Sequence, residues 1–129
     1  LDPKSIDTVV ASNLHADILT DLAASLSGSM GIAPTANLDP DKRHPSMFEP
    51  IHGSAFDIMG KGIANPIGSY WSAVMMLENL GELQAAQKLM FAIEKLTSDK
   101  KVLPKDLGGT STTKQITKAM IDIISGKNN

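Results

Sequence analysis

The chain has 129 residues, enough for one ordinary domain, with 42% hydrophobic residues, 20% charged residues and a formal net charge of −2. That balance describes a globular protein and argues against a polyanion-binding surface: Arg43 is the only arginine, and the lysines are scattered apart from Lys100-Lys101. No nucleic-acid partner is expected. Cysteine is absent, which excludes disulfides and thiolate metal sites and fits a cytoplasmic location. No apolar run approaches the roughly 20 residues of a membrane span, and no basic segment followed by an apolar stretch opens the chain, so neither a membrane partner nor a signal peptide is expected.

The chain starts at Leu1 rather than a methionine and reaches Thr8-Val9-Val10 almost at once, which reads as a fragment with earlier residues missing. Residues 8–11 read as a short buried strand, because β-branched side chains suit a pleated sheet. From 14 to 26 the pattern becomes helical, with Leu14, Ile18, Leu22 and Leu26 four residues apart. Residues 32–38 and 46–51 are strand candidates, separated by a turn-rich surface loop over 37–45. Asn65-Pro66 marks a helix start, a capping side chain followed by proline at the first helical position, and that helix should stop at Gly81. A second helix follows from 82 to about 97, and the short connection makes the two antiparallel neighbours. A last helix begins near Ser111 or Thr112 and ends at Gly126. The class is therefore α/β, but two or three short strands cannot cover all these apolar helix faces, so the fold reads as incomplete.

Asp17 and Asp21 lie one turn apart on the first helix, beside the leucine stripe. Two like charges at that spacing weakly destabilise a helix, by roughly 0.2–0.5 kcal/mol, unless a counter-charge intervenes. No lysine or arginine lies nearby in sequence. A divalent cation with oxygen ligands, Mg²⁺ or Mn²⁺, is one candidate. Taken alone, such a pair is more often a solvated helix face than a metal site.

The stretch from Glu49 to Pro66 is the most informative. Its glycines do not have the spacing of a Walker loop, and there is no Gly-x-Gly-x-x-Gly turn. His52-Gly53-Ser54-Ala55 places small residues and free backbone N–H groups at an expected helix start, which favours anionic or polar ligand groups. Asp57 could accept hydrogen bonds from two ribose hydroxyls. The plain alternatives are an ordinary turn for the glycines, a satisfied imidazole for His52 and a cap for Asn65.

Taken together and in this order, these motifs resemble the isocitrate/isopropylmalate dehydrogenase family of β-decarboxylating dehydrogenases. Asn13-Leu14-His15-Ala16-Asp17-Ile18-Leu19-Thr20-Asp21 looks like that family's metal-binding helix, and Ser29-Met30-Gly31 with Pro34 like its next loop. Glu49-Pro50-Ile51-His52-Gly53-Ser54-Ala55 through Asn65-Pro66 looks like its cofactor loop, and Asp106-Leu107-Gly108-Gly109-Thr110 like its C-terminal turn. Nearly the whole chain is covered. Within the family, the stretch from Leu38-Asp39-Pro40 to His44-Pro45-Ser46-Met47-Phe48-Glu49-Pro50 is most similar to the tartrate/D-malate branch, with isopropylmalate dehydrogenase the runner-up. A non-catalytic nucleotide-binding module is the alternative from another class.

The resemblance implies an isopropylmalate dehydrogenase-like fold of which this is the C-terminal part. Residues 1–27 would end an inserted substrate and dimerisation domain, and 28–129 would form half of the NAD-binding domain. It implies a homodimer that oxidises a small 2-hydroxy acid by hydride transfer to NAD and then releases carbon dioxide, with Mg²⁺ or Mn²⁺ polarising the substrate oxygens. Asp17 and Asp21 would be metal ligands, with a third carboxylate from the partner subunit. His52, Gly53, Ser54 and Ala55 would line the cofactor, Asn65 would meet the adenine, and Asp57 would hold the adenosine ribose. Gly31 and Glu49 would lie near the nicotinamide. Asp57-Ile58 stands where NADP-dependent relatives carry Lys-Tyr, so the expected cofactor is NAD. His15-Ala16 and Phe56 depart from the usual Phe-Gly and proline without removing a needed donor or acceptor. The family's proton-transfer lysine and tyrosine and its substrate-binding arginines cannot be placed in this chain, so no catalytic residue is assigned and the chain alone is expected to be inactive.

Overall fold

The computed structural model describes residues 2–26 and 28–127; Leu1 and Ser27, which bound the expected first segment, lie outside the described residues. Among the described residues, four α-helices and one hairpin carry the architecture: α1 (Asn13–Leu26), β1 (Pro34–Asn37), β2 (Met47–Pro50), α2 (Ile67–Asn79), α3 (Leu83–Asp99) and α4 (Thr113–Ile124). The strands pair antiparallel, with Thr35 opposite Glu49 and Ala36 opposite Phe48. α2 packs against both strands and against α3, and α3 packs in turn against α4. The core lies among these three helices and is made by Ile67, Val74, Ala86, Ala92, Ile93, Leu96, Ile116 and Met120. Ile67 and Ile116 are fully buried, a contribution of about 1.5–3 kcal/mol for each side chain.

The helix boundaries follow the punctuation in the sequence. The Asn65 side-chain oxygen accepts the Ile67 N–H at 2.9 Å, and Pro66 behind it has helical backbone angles. Gly81 takes a left-handed conformation (φ 85°) that ends α2 after Leu80 and lets α3 turn back. At α4, Thr112 and Gln115 form a reciprocal capping box, the Thr112 hydroxyl accepting the Gln115 N–H and the Gln115 side chain accepting the Thr112 N–H.

Two local expectations fail. Residues 8–11 form no strand, and Val10 is 97% exposed; among the described residues there is no neighbouring strand for them to pair with, and an isolated strand has unmet hydrogen-bonding groups. Residues 52–55 open no α-helix. Ala55 adopts a left-handed conformation (φ 44°), and only a single 3₁₀ turn, Phe56–Ile58, follows. α1 forms as expected but is thinly packed: Leu14, Ile18, Leu22 and Leu26 are all more than half exposed, and only Ala24 is buried. Among the described residues, no helix is long and apolar enough to cross a membrane.

The α4 cap and core permit a direct check. Thr112→Ala should lower stability by about 1 kcal/mol and Ile116→Ala by about 2–5 kcal/mol, read from urea midpoints. Equal, small effects would mean that α4 does not close the core.

Candidate functional site

A groove of about 800 Å³ runs between the loop at 29–31, the loop of residues 52–65 that joins β2 to α2, and the turn at 105–106 that precedes α4. Its walls include Gly31, His52, Gly53, Ser54, Ala55, Ile58 and Asn65, joined by Ser29, Met30, Ile63, Ala64, Lys105 and Asp106. Seven of the nine residues expected at a cofactor are thus brought together from three separated stretches of chain. Glu49, on β2, and Asp57, on the 3₁₀ turn beside Ile58, are exposed and do not line the walls.

Backbone bonds fix the loop between 52 and 64. Ile51 donates its N–H to the Ala33 carbonyl at 3.0 Å, which extends the hairpin ladder towards His52. At the far end the Gly62 carbonyl accepts the Thr113 N–H at 2.9 Å, and the Ala64 carbonyl accepts the Thr113 hydroxyl. The first residue of α4 therefore clamps the loop. His52 Nδ1 lies 3.1 Å from the Gly53 carbonyl; in the tautomer that donates there, Nε2 remains free to accept.

Gly31 occupies a tight position. A Cβ added to it would stand 2.5 Å from Asp106 Oδ2, 3.1 Å from Asn65 Nδ2 and 3.2 Å from Ser29 Oγ. Those atoms form one junction. Asp106 Oδ2 accepts from the Ser29 hydroxyl at 2.6 Å and from Asn65 Nδ2 at 2.9 Å, while Ser29 Oγ accepts the Gly31 N–H at 3.0 Å. Sequence motifs place Asp106 only in the C-terminal turn that carries the resemblance and do not single out Lys105. The partners of Asp106 lie 41 and 77 residues away, so no local spacing could have shown the contacts.

Asp17 and Asp21 sit on the exposed surface of α1, outside the groove walls. Their backbone carbonyls accept from Thr20 and Ser25 hydroxyls. Neither carboxylate is engaged in a hydrogen bond or an ion pair among the described residues. No cluster of three or more histidine, aspartate or glutamate side chains suited to a metal occurs among them either. Two hard oxygen donors on one helix face make a partial ligand set, which suits Mg²⁺ or Mn²⁺ because such ions retain water and substrate oxygens. α1 touches the 3₁₀ turn Met30–Ile32, which follows it in the chain and contributes Met30 and Gly31 to the groove walls. Tyr70, the single tyrosine, is committed elsewhere: its hydroxyl is 2.7 Å from Thr117 Oγ1, between α2 and α4.

The sequence profile of the isocitrate/isopropylmalate dehydrogenase family matches residues 1–124, and the chain belongs to that family. Its relatives narrow the neighbourhood. A protein named "Probable tartrate dehydrogenase/decarboxylase" from Agrobacterium vitis is 60% identical over 128 residues, covering 99% of this chain and 36% of that relative. The D-malate dehydrogenase [decarboxylating] of Escherichia coli (strain K12) is 46% identical over 129 residues, covering 96% of this chain and 36% of its own length. Among solved structures, isocitrate dehydrogenase from Methylococcus capsulatus superposes with a TM-score of 0.87 at 38% identity, covering 96% of this chain and 36% of that one. The fold is therefore α/β and isopropylmalate dehydrogenase-like. The chain spans about a third of the length of the relatives it matches.

The close approach at Gly31 predicts a contrast between two glycines. Gly31→Ala should cost about 1–3 kcal/mol by overpacking, whereas Gly53→Ala, whose added carbon meets nothing within 4 Å, should stay within about 0.5 kcal/mol. Equal urea midpoints for the two variants would contradict the packing described.

Proposed function

We propose that this chain is the C-terminal part of a cytoplasmic, homodimeric oxidoreductase that oxidises and decarboxylates a 2-hydroxy dicarboxylic acid of the tartrate/D-malate type, using NAD and a divalent metal. In this reading, residues 1–27 belong to an inserted dimerisation domain and 28–129 to the nucleotide domain. The observation that carries it is the groove: the His52-Gly53-Ser54-Ala55 loop, Gly31, Ile58 and Asn65 converge on one concavity. The chain around it is 60% identical to a protein named for tartrate oxidation and decarboxylation.

The groove suits a dinucleotide. Its volume falls within the roughly 300–1,000 Å³ usual for small-molecule sites. Ile58, Ile63, Ala55 and Ala64 give apolar contact for planar rings, and His52, Ser54 and Asn65 supply a few polar groups. Among the described residues, Lys105 is the one lysine or arginine in the walls and favours a diphosphate. Asp57, exposed on its 3₁₀ turn, is free to receive ribose hydroxyls and repels a 2′-phosphate, which is the reason for choosing NAD.

When bound, NAD supplies a hydride acceptor and the metal Lewis-acid polarisation of substrate oxygens. The chain's own residues position these groups. Asp17 and Asp21, one turn apart on α1, would hold the divalent cation through their carboxylate oxygens, and the cation would polarise the substrate oxygens. Gly31, beside the Asn65 side chain, would keep the groove floor open, and Asn65 would meet the adenine. The exposed stripe of Leu14, Ile18, Leu22 and Leu26 gives the partner subunit an apolar face on the same helix that bears the acids. Proton transfer and the grip on substrate carboxylates fall to residues outside this chain.

The full-length enzyme should reduce NAD with D-malate or tartrate, lose that activity to a chelator and regain it with Mg²⁺ or Mn²⁺. Asp17→Asn and Asp21→Asn should each raise the metal concentration needed for half-activation by about 10–100-fold. Activity that survives chelation, or turnover with 3-isopropylmalate alone, would refute the assignment. A separate titration addresses the cofactor: NADH should bind more tightly than NADPH, and Asp57→Ala should narrow that gap. Purified on its own, the 129-residue chain should give no substrate-dependent NADH.

A further inference from the structure

We infer that Asp106 is a positioning residue for the dinucleotide: its carboxylate holds the Asn65 amide and the Gly31 loop in the one orientation that the groove presents. This rests on the reading above that places a dinucleotide in the groove. Asp106 lines that groove, and a single oxygen of its carboxylate, Oδ2, accepts from both Ser29 Oγ at 2.6 Å and Asn65 Nδ2 at 2.9 Å. Each donor passes the constraint on. The Ser29 hydroxyl accepts the Gly31 N–H at 3.0 Å, and Asn65 Oδ1 accepts the Ile67 N–H at 2.9 Å. One unbroken path of hydrogen bonds therefore runs from the first turn of α2, through Asp106, to the groove floor.

Chemistry fixes the direction of every bond in that path. An ionised carboxylate only accepts, and a backbone N–H only donates. Turning the Asn65 amide over would aim its oxygen at the carboxylate and its NH₂ group at the Ile67 N–H. Both contacts would become repulsive. The amide is held one way round, with one N–H and one lone pair left over. An adjacent donor and acceptor of this kind complements the adenine edge, which offers its own donor beside an acceptor. Hypoxanthine carries an oxygen where adenine carries the amino group, so it meets the same pair wrongly. Asp106 acts through Asn65 to set the base preference, and through Ser29 to keep Gly31 clear of the cofactor's space.

Steady-state kinetics of the full-length enzyme, with NAD and with its hypoxanthine analogue, test this. Asp106→Ala should raise the KM for NAD about tenfold, the scale of losing charge-assisted hydrogen bonds, while kcat is largely kept. The preference for NAD over the hypoxanthine analogue should fall towards parity. Asp106→Asn, whose amide oxygen can still accept from both donors, should restore most of the KM and the preference. Ser29→Ala leaves the Asn65–Asp106 bond in place, so it should raise the KM for NAD without changing the preference; it also carries the test should Asp106→Ala not fold. An Asp106→Ala enzyme that melts earlier yet keeps its KM and base preference overturns the inference, as does an unchanged KM in Ser29→Ala. A wild-type enzyme that neither binds nor reduces NAD overturns the functional reading as well, which separates the two failures.

Discussion

The first turn of α2 approaches the groove floor so closely that a side chain at Gly68 would press its neighbours apart. A Cβ on Gly68 would lie 3.0 Å from the Gly31 carbonyl oxygen and 3.1 Å from the Pro50 side chain, and a Cβ on Gly31 would collide with Asp106. Two neighbouring positions without side chains thus let the helix, the hairpin and the 29–31 loop pack around one point. Ile67, next to Gly68, is fully buried, so the residue that seats α2 in the core also donates its N–H to Asn65 on the groove wall. Core packing and groove shape are set by the same few residues. Disturbing either moves the other.

The two halves of the proposed site differ in how completely this chain builds them. Groove walls come from loops whose ends are clamped, by Ile51 to Ala33 on one side and by Thr113 to Gly62 on the other. The acid pair rides on a helix with one buried residue and a row of exposed leucines and isoleucine. In the proposed reading, this chain supplies clamped loops for its half of the dinucleotide side, whereas the metal side needs oxygen ligands and packing from further protein. A chain covering about a third of its relatives' length is in keeping with that division. Relatives named for tartrate and for D-malate oxidation agree on reaction class more closely than on substrate.

Much of the fold was legible because local chemistry and tertiary structure agree. Asn65-Pro66, Gly81 and the Thr112–Gln115 pair mark helix ends by satisfying or releasing terminal backbone groups, and these signals need no partner. The strand expected at residues 8–11 failed because β-branched composition cannot supply a neighbouring strand. The helix expected after His52 became a left-handed residue and a single 3₁₀ turn, since small residues and glycines are as compatible with a turn as with a helix start. Candidate site residues were visible as motifs, seven of them lining one groove. Asp106 was visible only within the C-terminal turn motif and not as a site residue, because its hydrogen bonds form only when residues 29, 65 and 106 meet in space.

Amide hydrogen exchange of the full-length protein, with and without saturating NADH, tests most directly whether this groove holds the dinucleotide. Binding should slow exchange at residues 29–31 and 53–58, with little change in the body of α3, which takes no part in the groove. Protection confined to other parts of the protein, with these loops exchanging as fast as before, would contradict the assignment.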